Sequence, residues 1–214
     1  FGYAKELKNL YPTVPVVLLT PFSSEVFHRL YHHEDFSAID YVFSWLGETD
    51  LLLAIVKLLE DKMNVDADIK SVGVQVILFV ENSIQFYSTI LPYLYKHVFV
   101  QSRSFMTEAL NEHEQMLRMR GRPKILLARN YEEAQELYNK YRRNILGVVS
   151  DVRFEREGEV DATAGIKLCS YIRNHDRFMP IILESSEEVN RDAARQLGAM
   201  FISKNSKTMH LELK

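Results

Sequence analysis

The chain has 214 residues, of which 47% are hydrophobic and 26% charged, and its formal net charge is −3. This length and composition allow a sizeable core and exclude wholesale disorder. The near-neutral charge and the lack of a long basic run disfavour nucleic acid as the main partner. The sole cysteine, Cys169, excludes an internal disulfide and a thiolate metal cluster, and suits the cytosol. No apolar stretch is long enough to span a bilayer, so we expect a cytoplasmic protein without a membrane partner.

The first 71 residues alternate between helical and strand-like sequence. Ser23 and Ser24 can cap a helix, and residues 65–71 are polar enough to suggest a linker. The predicted elements, in order, are a helix at 3–9, a strand at 15–20, a helix at 23–30, a strand at 39–43 and a helix at 51–63.

The remaining residues alternate more fully, which predicts a parallel, doubly wound sheet with helices on both faces. Pro92 should kink or break the helix that begins at Ser83. The predicted strands lie at 74–80, 123–128, 145–150, 180–183 and 199–203. The predicted helices after Ser83 lie at 104–120, 131–141, 164–174 and 187–197, and a polar loop covers 153–163.

Two short segments recur along the chain. Residues 15–20 match residues 180–185, and residues 39–44 match residues 199–204. We interpret this as an internal repeat whose first copy lacks its front half.

Polar side chains follow four strands of the predicted second copy. They are Glu81 with Asn82, then Asp151, Ser185 and Lys204. In a sheet of order 2-1-3-4-5 these strand ends share one rim. Carboxylate and carbonyl oxygens suit Mg²⁺. Asp151 could then attack phosphorus in line, while Lys204 and Ser185 hold the phosphoryl oxygens.

On these residues the chain resembles the receiver domain of bacterial response regulators, the CheY-like fold. The motif order is an acidic pair, Asp, Ser/Thr and Lys, and Gly165, Leu168 and Ile172-Arg173 before Pro180 also fit that family. The resemblance implies a tandem: residues 1–64 as the second half of a first receiver, 65–71 as linker, and 72–214 as a second receiver. This second receiver would carry an inserted helix at 104–120 and lack its last helix.

The resemblance also implies a role for each motif residue. Asp151 would be the phosphoacceptor, and Glu81, Asn82, Asp151 and the backbone carbonyl of Arg153 would bind Mg²⁺. The remaining implied residues are Ser185 as the switch hydroxyl, Lys204 as the phosphate-binding lysine and Phe201 as the switch aromatic.

The sequence departs from the family pattern in ways that weaken some of these roles. Asn82 replaces an acid, so Mg²⁺ should bind more weakly, and Asn205 replaces the usual proline after the lysine. In the first copy Thr20 and Tyr41 fit the switch pair, but Ser44 stands in place of the lysine. We expect that copy to have lost phosphorylation.

We therefore expect a phosphoacceptor signal receiver within a larger bacterial protein, and not an enzyme in the ordinary sense. Its partners would be a histidine kinase or phosphotransfer protein, an output domain of the same chain, and a second copy in a homodimer. The first alternative is a degenerate receiver acting as a scaffold, attached for example to a phosphoenolpyruvate-synthase-like phosphotransferase. A nucleotide- or flavin-binding domain is a further alternative, disfavoured because no glycine-rich phosphate loop is present.

Each site residue also has a purely structural alternative. Asp151 could cap a turn, Ser185 could be the N-cap of the next helix, and Lys204 could be a solvated surface lysine.

Overall fold

The computed structural model describes residues 2–21, 37–106, 121–206 and 209. The chain forms two compact units. The first comprises residues 1–55 with 83–92, and the second comprises residues 56–82 with 93–214. The domain boundaries at residues 64 and 72 stay a prediction. None of the helices in the described ranges is both long and apolar enough to cross a membrane.

The first unit contains helix α1 (Gly2–Leu10) and two parallel strands, β1 (Val17–Thr20) and β2 (Tyr41–Ser44). The hydroxyl of Tyr87 donates to the carbonyl of Val42, and the Ser44 N–H donates to Ser88 Oγ at 3.0 Å. The Phe43 ring meets the Tyr87 ring edge-on. The helix predicted at 23–30 lies outside the described residues.

The second unit is built on a five-stranded parallel sheet. Its strands are β3 (Val76–Val80), β4 (Lys124–Ala128), β5 (Ile145–Asp151), β8 (Ile181–Ser185) and β9 (Met200–Ser203). They lie in the order β4-β3-β5-β8-β9, which is 2-1-3-4-5 when counted within this unit. That order is the flavodoxin-like doubly wound arrangement, so the predicted fold class is confirmed.

Three helices follow strands of this sheet: α4 (Tyr131–Tyr141), α5 (Ala164–His175) and α6 (Asn190–Gln196). Asn130 caps α4, because its side-chain oxygen accepts the Glu133 N–H at 2.8 Å. One hydrophobic cluster joins α4 and α5 to the sheet, with Leu78, Leu183 and Leu168 almost fully buried. The predicted alternation of strands and helices is therefore present from residue 123 onward.

Helix α2 (Thr49–Val72) corrects the expectation of a linker at 65–71, since it continues through that segment without a break. Its buried positions keep the spacing of a helix face through Leu58, Asp61, Val65 and Asp68. The polar residues misled because one acid of that segment is buried with a cation: Asp68 pairs with Lys124 at 2.9 Å.

Helix α3 (Ile84–Met106) continues through Pro92, so the expected break is wrong there, and the alternative of a kink stays a prediction. Buried side chains continue on both sides of the proline, including Tyr87, Leu91, Leu94 and Val98. Packing of that apolar face outweighs the roughly 3 kcal/mol that an interior proline costs. Residues 104–106 belong to α3, and the rest of the insertion predicted at 104–120 lies outside the described residues.

The polar segment 153–163, expected as a loop, contains a two-stranded antiparallel hairpin, β6 (Phe154–Arg156) and β7 (Glu159–Asp161). Glu157 and Gly158 at its turn have φ values of 55° and 80°, as a two-residue hairpin turn requires. Phe154 is fully buried and holds the first strand against the core. The last helix, predicted to be missing, concerns residues 207–214, of which only Met209 is described.

Asp61 on α2 protects the open edge of the sheet. In the part of the chain that the structure describes, strand β4 has one neighbour, β3, so its outer N–H groups need other acceptors. The Ile125 N–H donates to Asp61 Oδ2 at 2.9 Å, and Arg122 donates to both Asp61 oxygens at 2.6 and 3.1 Å. The Tyr95 hydroxyl adds a fourth hydrogen bond at 2.9 Å. This fully buried carboxylate therefore covers the sheet edge and neutralises a buried arginine.

Replacing Asp61 with alanine should lower the free energy of unfolding of this unit by about 3–5 kcal/mol, because it leaves Arg122 buried without its counter-charge. Urea unfolding measures the change. Glu60→Gln on the same helix is the matched control, since it removes an exposed pair with Lys57 and should cost less than about 1 kcal/mol. Equal effects of the two substitutions would contradict the role given to Asp61.

Candidate functional site

Four of the predicted site residues lie at the carboxyl edge of the five-stranded sheet. Glu81 directly follows β3, Asp151 ends β5, Ser185 ends β8 and Lys204 directly follows β9. Because all the strands are parallel, these ends lie on the same edge, where doubly wound sheets place their sites.

Lys204 joins two of these residues directly. Its Nζ lies 2.6 Å from Glu81 Oε2 and 2.9 Å from Asp151 Oδ2. Glu81 is fully buried, and the side chains of Asp151 and Lys204 are 11% and 13% exposed. Burial alone would lower the pKa of Lys204, but Glu81 and Asp151 outweigh it, so this pKa lies above its ordinary value. Lys204 is therefore a charged, buried partner of both acids and not a solvated surface lysine.

The backbone holds Asp151 in place on its other side. Asp151 Oδ1 accepts the Val152 N–H at 2.8 Å. Gly165, at the start of α5, packs so tightly here that a Cβ atom would collide with the Asp151 carbonyl oxygen and lie 2.9 Å from Val152 Cα. A glycine is therefore required where α5 meets the end of β5.

The hydroxyl of Ser185 is turned toward the segment that begins α6. Ser185 Oγ accepts the Glu187 N–H at 3.1 Å and the Asn190 side-chain N–H at 2.9 Å. Its backbone carbonyl accepts the Lys204 N–H at 2.9 Å. Ser185 therefore holds the turn before α6 by these two hydrogen bonds. The alternative that it is the N-cap of the helix is wrong, because the N-cap of α6 is Val189.

Phe201 lies on β9, paired in register with Leu183. Its ring is half-buried, and the guanidinium of Arg191 lies 4.6 Å from the ring centroid. Helix α6 therefore contacts both predicted switch residues: Asn190 contacts Ser185, and the next residue, Arg191, contacts Phe201.

Glu184 is a site residue that the sequence analysis missed. It pairs in register with Asp151, it is fully buried, and neither of its carboxyl oxygens has a hydrogen-bond partner among the described residues. Burial, together with Glu81 and Asp151 and against the pull of Lys204, raises the pKa of Glu184 from 4.5 to about 8. The one charged residue within the apolar run of β8 was the signal that could have revealed it.

The donor atoms at this edge fit a hard divalent cation in type. Glu81 and Asp151 supply carboxylates, Asn82 is half-buried beside Glu81, and Arg153 follows Asp151 by two residues. With Glu184 neutral, two carboxylates face one ammonium, so the site keeps one negative charge in excess. No group of three or more His, Cys, Asp or Glu side chains in the described ranges is arranged to hold a metal. A cation here would therefore depend on amide and carbonyl oxygens as well.

Backbone pairing in the first unit differs from the predicted correspondence by one residue. Thr20 pairs with Ser44, and the Trp45 N–H donates to the Thr20 carbonyl at 3.0 Å, as Lys204 does to Ser185 in the second unit. By register the counterpart of Lys204 is therefore Trp45 and not Ser44. The counterpart of Phe201 is likewise Val42 and not Tyr41. The first unit has no lysine at this position under either correspondence.

No family model and no curated protein matches the chain. Solved structures that resemble it include Vibrio cholerae chemotaxis protein CheY4, with 16% identity, a TM-score of 0.42, and 65% of this chain and 93% of that chain covered. A response regulator receiver domain protein from Clostridium thermocellum gives 16% identity and a TM-score of 0.43, covering 65% and 90% of the two chains. The CheX–CheY–BeF3–Mg complex from Borrelia burgdorferi gives 21% and 0.41, covering 66% and 85%. The fold class rests on the strand order.

Glu184 should make the stability of the protein fall as pH rises. Between its ordinary pKa of 4.5 and about 8, the folded state keeps a proton that the unfolded state has lost, so the free energy of unfolding falls with increasing pH. Glu184→Gln removes this titration. We expect the stability gain of the variant over wild type to grow by a few kcal/mol (on the order of 1.4 per pKa unit) from pH 5 to pH 8.

Urea unfolding of both proteins in metal-free buffer across that range measures this difference. Glu187→Gln, an exposed acid of the same segment, is the matched control and should give a flat difference. A flat difference for Glu184→Gln as well would contradict the neutral, buried carboxyl group.

Proposed function

We propose that the second unit is a phosphoacceptor signal receiver of the CheY-like kind, with Asp151 as the residue that is phosphorylated. The observation that carries this proposal is the Lys204 ammonium, bonded to both Glu81 and Asp151 at the carboxyl edge of a 2-1-3-4-5 sheet. Glu81, Asp151 and Lys204 come from the ends of three different strands. Asp151 can act as the nucleophile, and the ammonium of Lys204 is held beside it.

The chemistry follows from these groups. A carboxylate oxygen of Asp151 forms a bond to phosphorus while the bond from phosphorus to the donor's leaving atom breaks, and the leaving group departs with that electron pair. Lys204 is close enough to Asp151 to balance the charge of the incoming phosphoryl oxygens. Ser185 already accepts two hydrogen bonds, so its hydroxyl proton remains to be donated to a phosphoryl oxygen.

The residues that would hold Mg²⁺ are Glu81, Asp151, the side-chain oxygen of Asn82 and the carbonyl of Arg153. When bound, the ion supplies positive charge that allows an anionic donor to approach the acids. Asn82 contributes no charge, so we expect a weaker site than one with a second acid at this position. A receiver of this kind needs a histidine kinase or phosphotransfer protein as donor. Its output would be another domain of the same protein or a second copy of the chain.

A degenerate receiver that serves as a protein-interaction scaffold is the second candidate. Asn82 favours it, as does the absence of a lysine at the matching position of the first unit. Under this alternative the contact between Lys204 and Asp151 is a structural ion pair, and a phosphoryl donor leaves the protein unchanged.

Incubation with acetyl phosphate and Mg²⁺ should add one phosphoryl group to the intact protein, measured by mass spectrometry. Asp151→Asn should abolish the gain, because it removes the nucleophilic carboxylate. Asp176→Asn, at a half-buried acid that forms the C-cap of α5, is the matched control and should label like wild type.

A further variant separates the two candidate functions. Asn82→Asp restores a carboxylate, and under the receiver proposal it lowers the Mg²⁺ concentration needed for labelling. Absence of labelling in the wild type and in Asn82→Asp would contradict the receiver proposal and leave the scaffold.

A further inference from the structure

The outer edge of β1 carries backbone groups without partners in the part of the chain that the structure describes. The carbonyls of Val16 and Thr20 accept N–H groups from the residues that flank β2, at 2.9 and 3.0 Å, so both carbonyls face β2. Successive residues of a strand point their N–H and C=O groups to opposite edges. The N–H and C=O groups of Val17 and Leu19 therefore point away from β2, to an edge where no other strand of the described residues lies.

This edge has no charged side chain to protect it. Edge strands commonly carry charges that prevent another strand from pairing with them. Strand β1 has the sequence Val-Leu-Leu-Thr, and its side chains are half-buried or buried. A sheet of two strands is marginally stable by itself, whereas three or more strands with an apolar face are stable. The outer edge of β1 is therefore suited to receive another strand.

Two prolines fix the length of the open edge. The next outward positions on either side of Val17 and Leu19 are Pro15 and Pro21. Proline has no N–H group, so it cannot donate to a neighbouring strand. Between the prolines, the outward donors are those of Val17 and Leu19. This pattern is symmetric about Leu18, because the donors lie one residue from it and the prolines three residues from it on each side.

The symmetry selects a second copy of β1 as the strand that fits. A two-fold axis at Leu18, perpendicular to the sheet, makes the two β1 strands antiparallel. Val17 of one copy then lies opposite the partner subunit's Leu19, and each such pair exchanges two N–H···O bonds. Each proline lies opposite the other proline of the partner strand, so no N–H group of the ladder is left without an acceptor. An unrelated strand fits equally well only if it also lacks N–H groups at the two matching positions.

We propose that the outer edge of β1 is an interface between two copies of this chain, which joins their two-stranded sheets into one sheet in the order β2-β1-β1-β2. The hydrogen bonds of this ladder by themselves bury less than the roughly 1,200 Å² of a stable interface. Leu10, Tyr11 and Val14, shortly before β1 in the chain, are exposed and supply further apolar area. The interface does not depend on the proposed function, since every residue that it uses lies in the first unit.

The first test introduces cysteines into β1 of the full chain, in a Cys169→Ala background that removes the only native thiol. Leu18→Cys places two thiols at the two-fold axis, where the Cα atoms of opposite residues lie about 4.5 Å apart and a disulfide can form. Mild oxidation should therefore give a covalent dimer on a non-reducing gel.

Val17→Cys in the same background is the matched control. The two introduced cysteines then lie diagonally across the ladder, about 7–8 Å apart, which is beyond the reach of a disulfide. Val17→Cys should not cross-link by itself. Mixing it with Leu19→Cys should give a covalent dimer, because these two positions lie opposite each other. This pattern distinguishes the proposed register from random collision of thiols.

The second test removes one outward donor from each copy and needs no cysteine. Leu19→Pro deletes an N–H group that points away from β2, so the bonds between β1 and β2 remain. Sedimentation equilibrium of the full chain should show a concentration-dependent dimer. Leu19→Pro should raise its dissociation constant by about 10- to 100-fold, as the loss of two hydrogen bonds corresponds to. Leu19→Ala shortens the side chain but keeps the N–H group, so it should weaken the dimer less.

The outcomes decide the interface independently of phosphorylation. A dimer that Leu19→Pro weakens, together with cross-linking of Leu18→Cys but not of Val17→Cys, supports the proposal. A chain that stays monomeric at all concentrations overturns it and leaves the edge to a strand of another kind. Equal cross-linking of Leu18→Cys and Val17→Cys overturns it as well, because the contact would then lack the proposed register. The Leu18→Cys result stands even where Leu19→Pro fails to fold. Labelling of Asp151 by acetyl phosphate tests the proposed function alone.

Discussion

The ammonium group of Lys204 is the interaction on which the proposed site depends. Glu81, Asp151 and Lys204 lie at the carboxyl ends of β3, β5 and β9. The carboxylates of Glu81 and Asp151 are buried. Without a cation between Glu81 and Asp151, the two acids would repel each other in surroundings of low dielectric constant. Lys204 allows both acids to be buried, whereas burial and these two acids raise the pKa of Glu184 to about 8 against the pull of Lys204. Under the proposed function, this arrangement also places Asp151 where it can act as the nucleophile.

A second buried ion network stabilises the same unit at the outer edge of β4. Asp61 and Asp68 on α2 neutralise Arg122 and Lys124, and Asp61 also accepts an N–H from the outer edge of β4. The two networks differ in what they leave open. Among the described residues Asp61 accepts four hydrogen bonds, which occupy both of its oxygens, whereas Asp151 shares one cation with Glu81. This contrast, more than burial or charge alone, distinguishes a structural acid from a candidate reactive one.

Most of the second unit could be predicted from its sequence. Continuous apolar runs such as Ile145–Val149 are typical of strands that are buried on both faces of a parallel sheet. The strand order then brings Asp151 and Lys204 together. The prediction of a linker at 65–71 was wrong because a polar sequence does not show whether an acid is solvated or, like Asp68, buried beside a cation, here Lys124. The break at Pro92 was wrong because tertiary packing overrode a local cost. Contacts across the chain, such as Arg191 with Phe201, depend on loop geometry that periodicity does not encode.

The position of the phosphoryl group is the most direct measurement of the central claim. Borohydride reduces an aspartyl phosphate to homoserine, which peptide mass spectrometry assigns to a single residue. After treatment with acetyl phosphate and Mg²⁺, the account predicts homoserine at position 151. Homoserine at another acid, or at none, would contradict the claim that this edge of the sheet is a phosphoacceptor site.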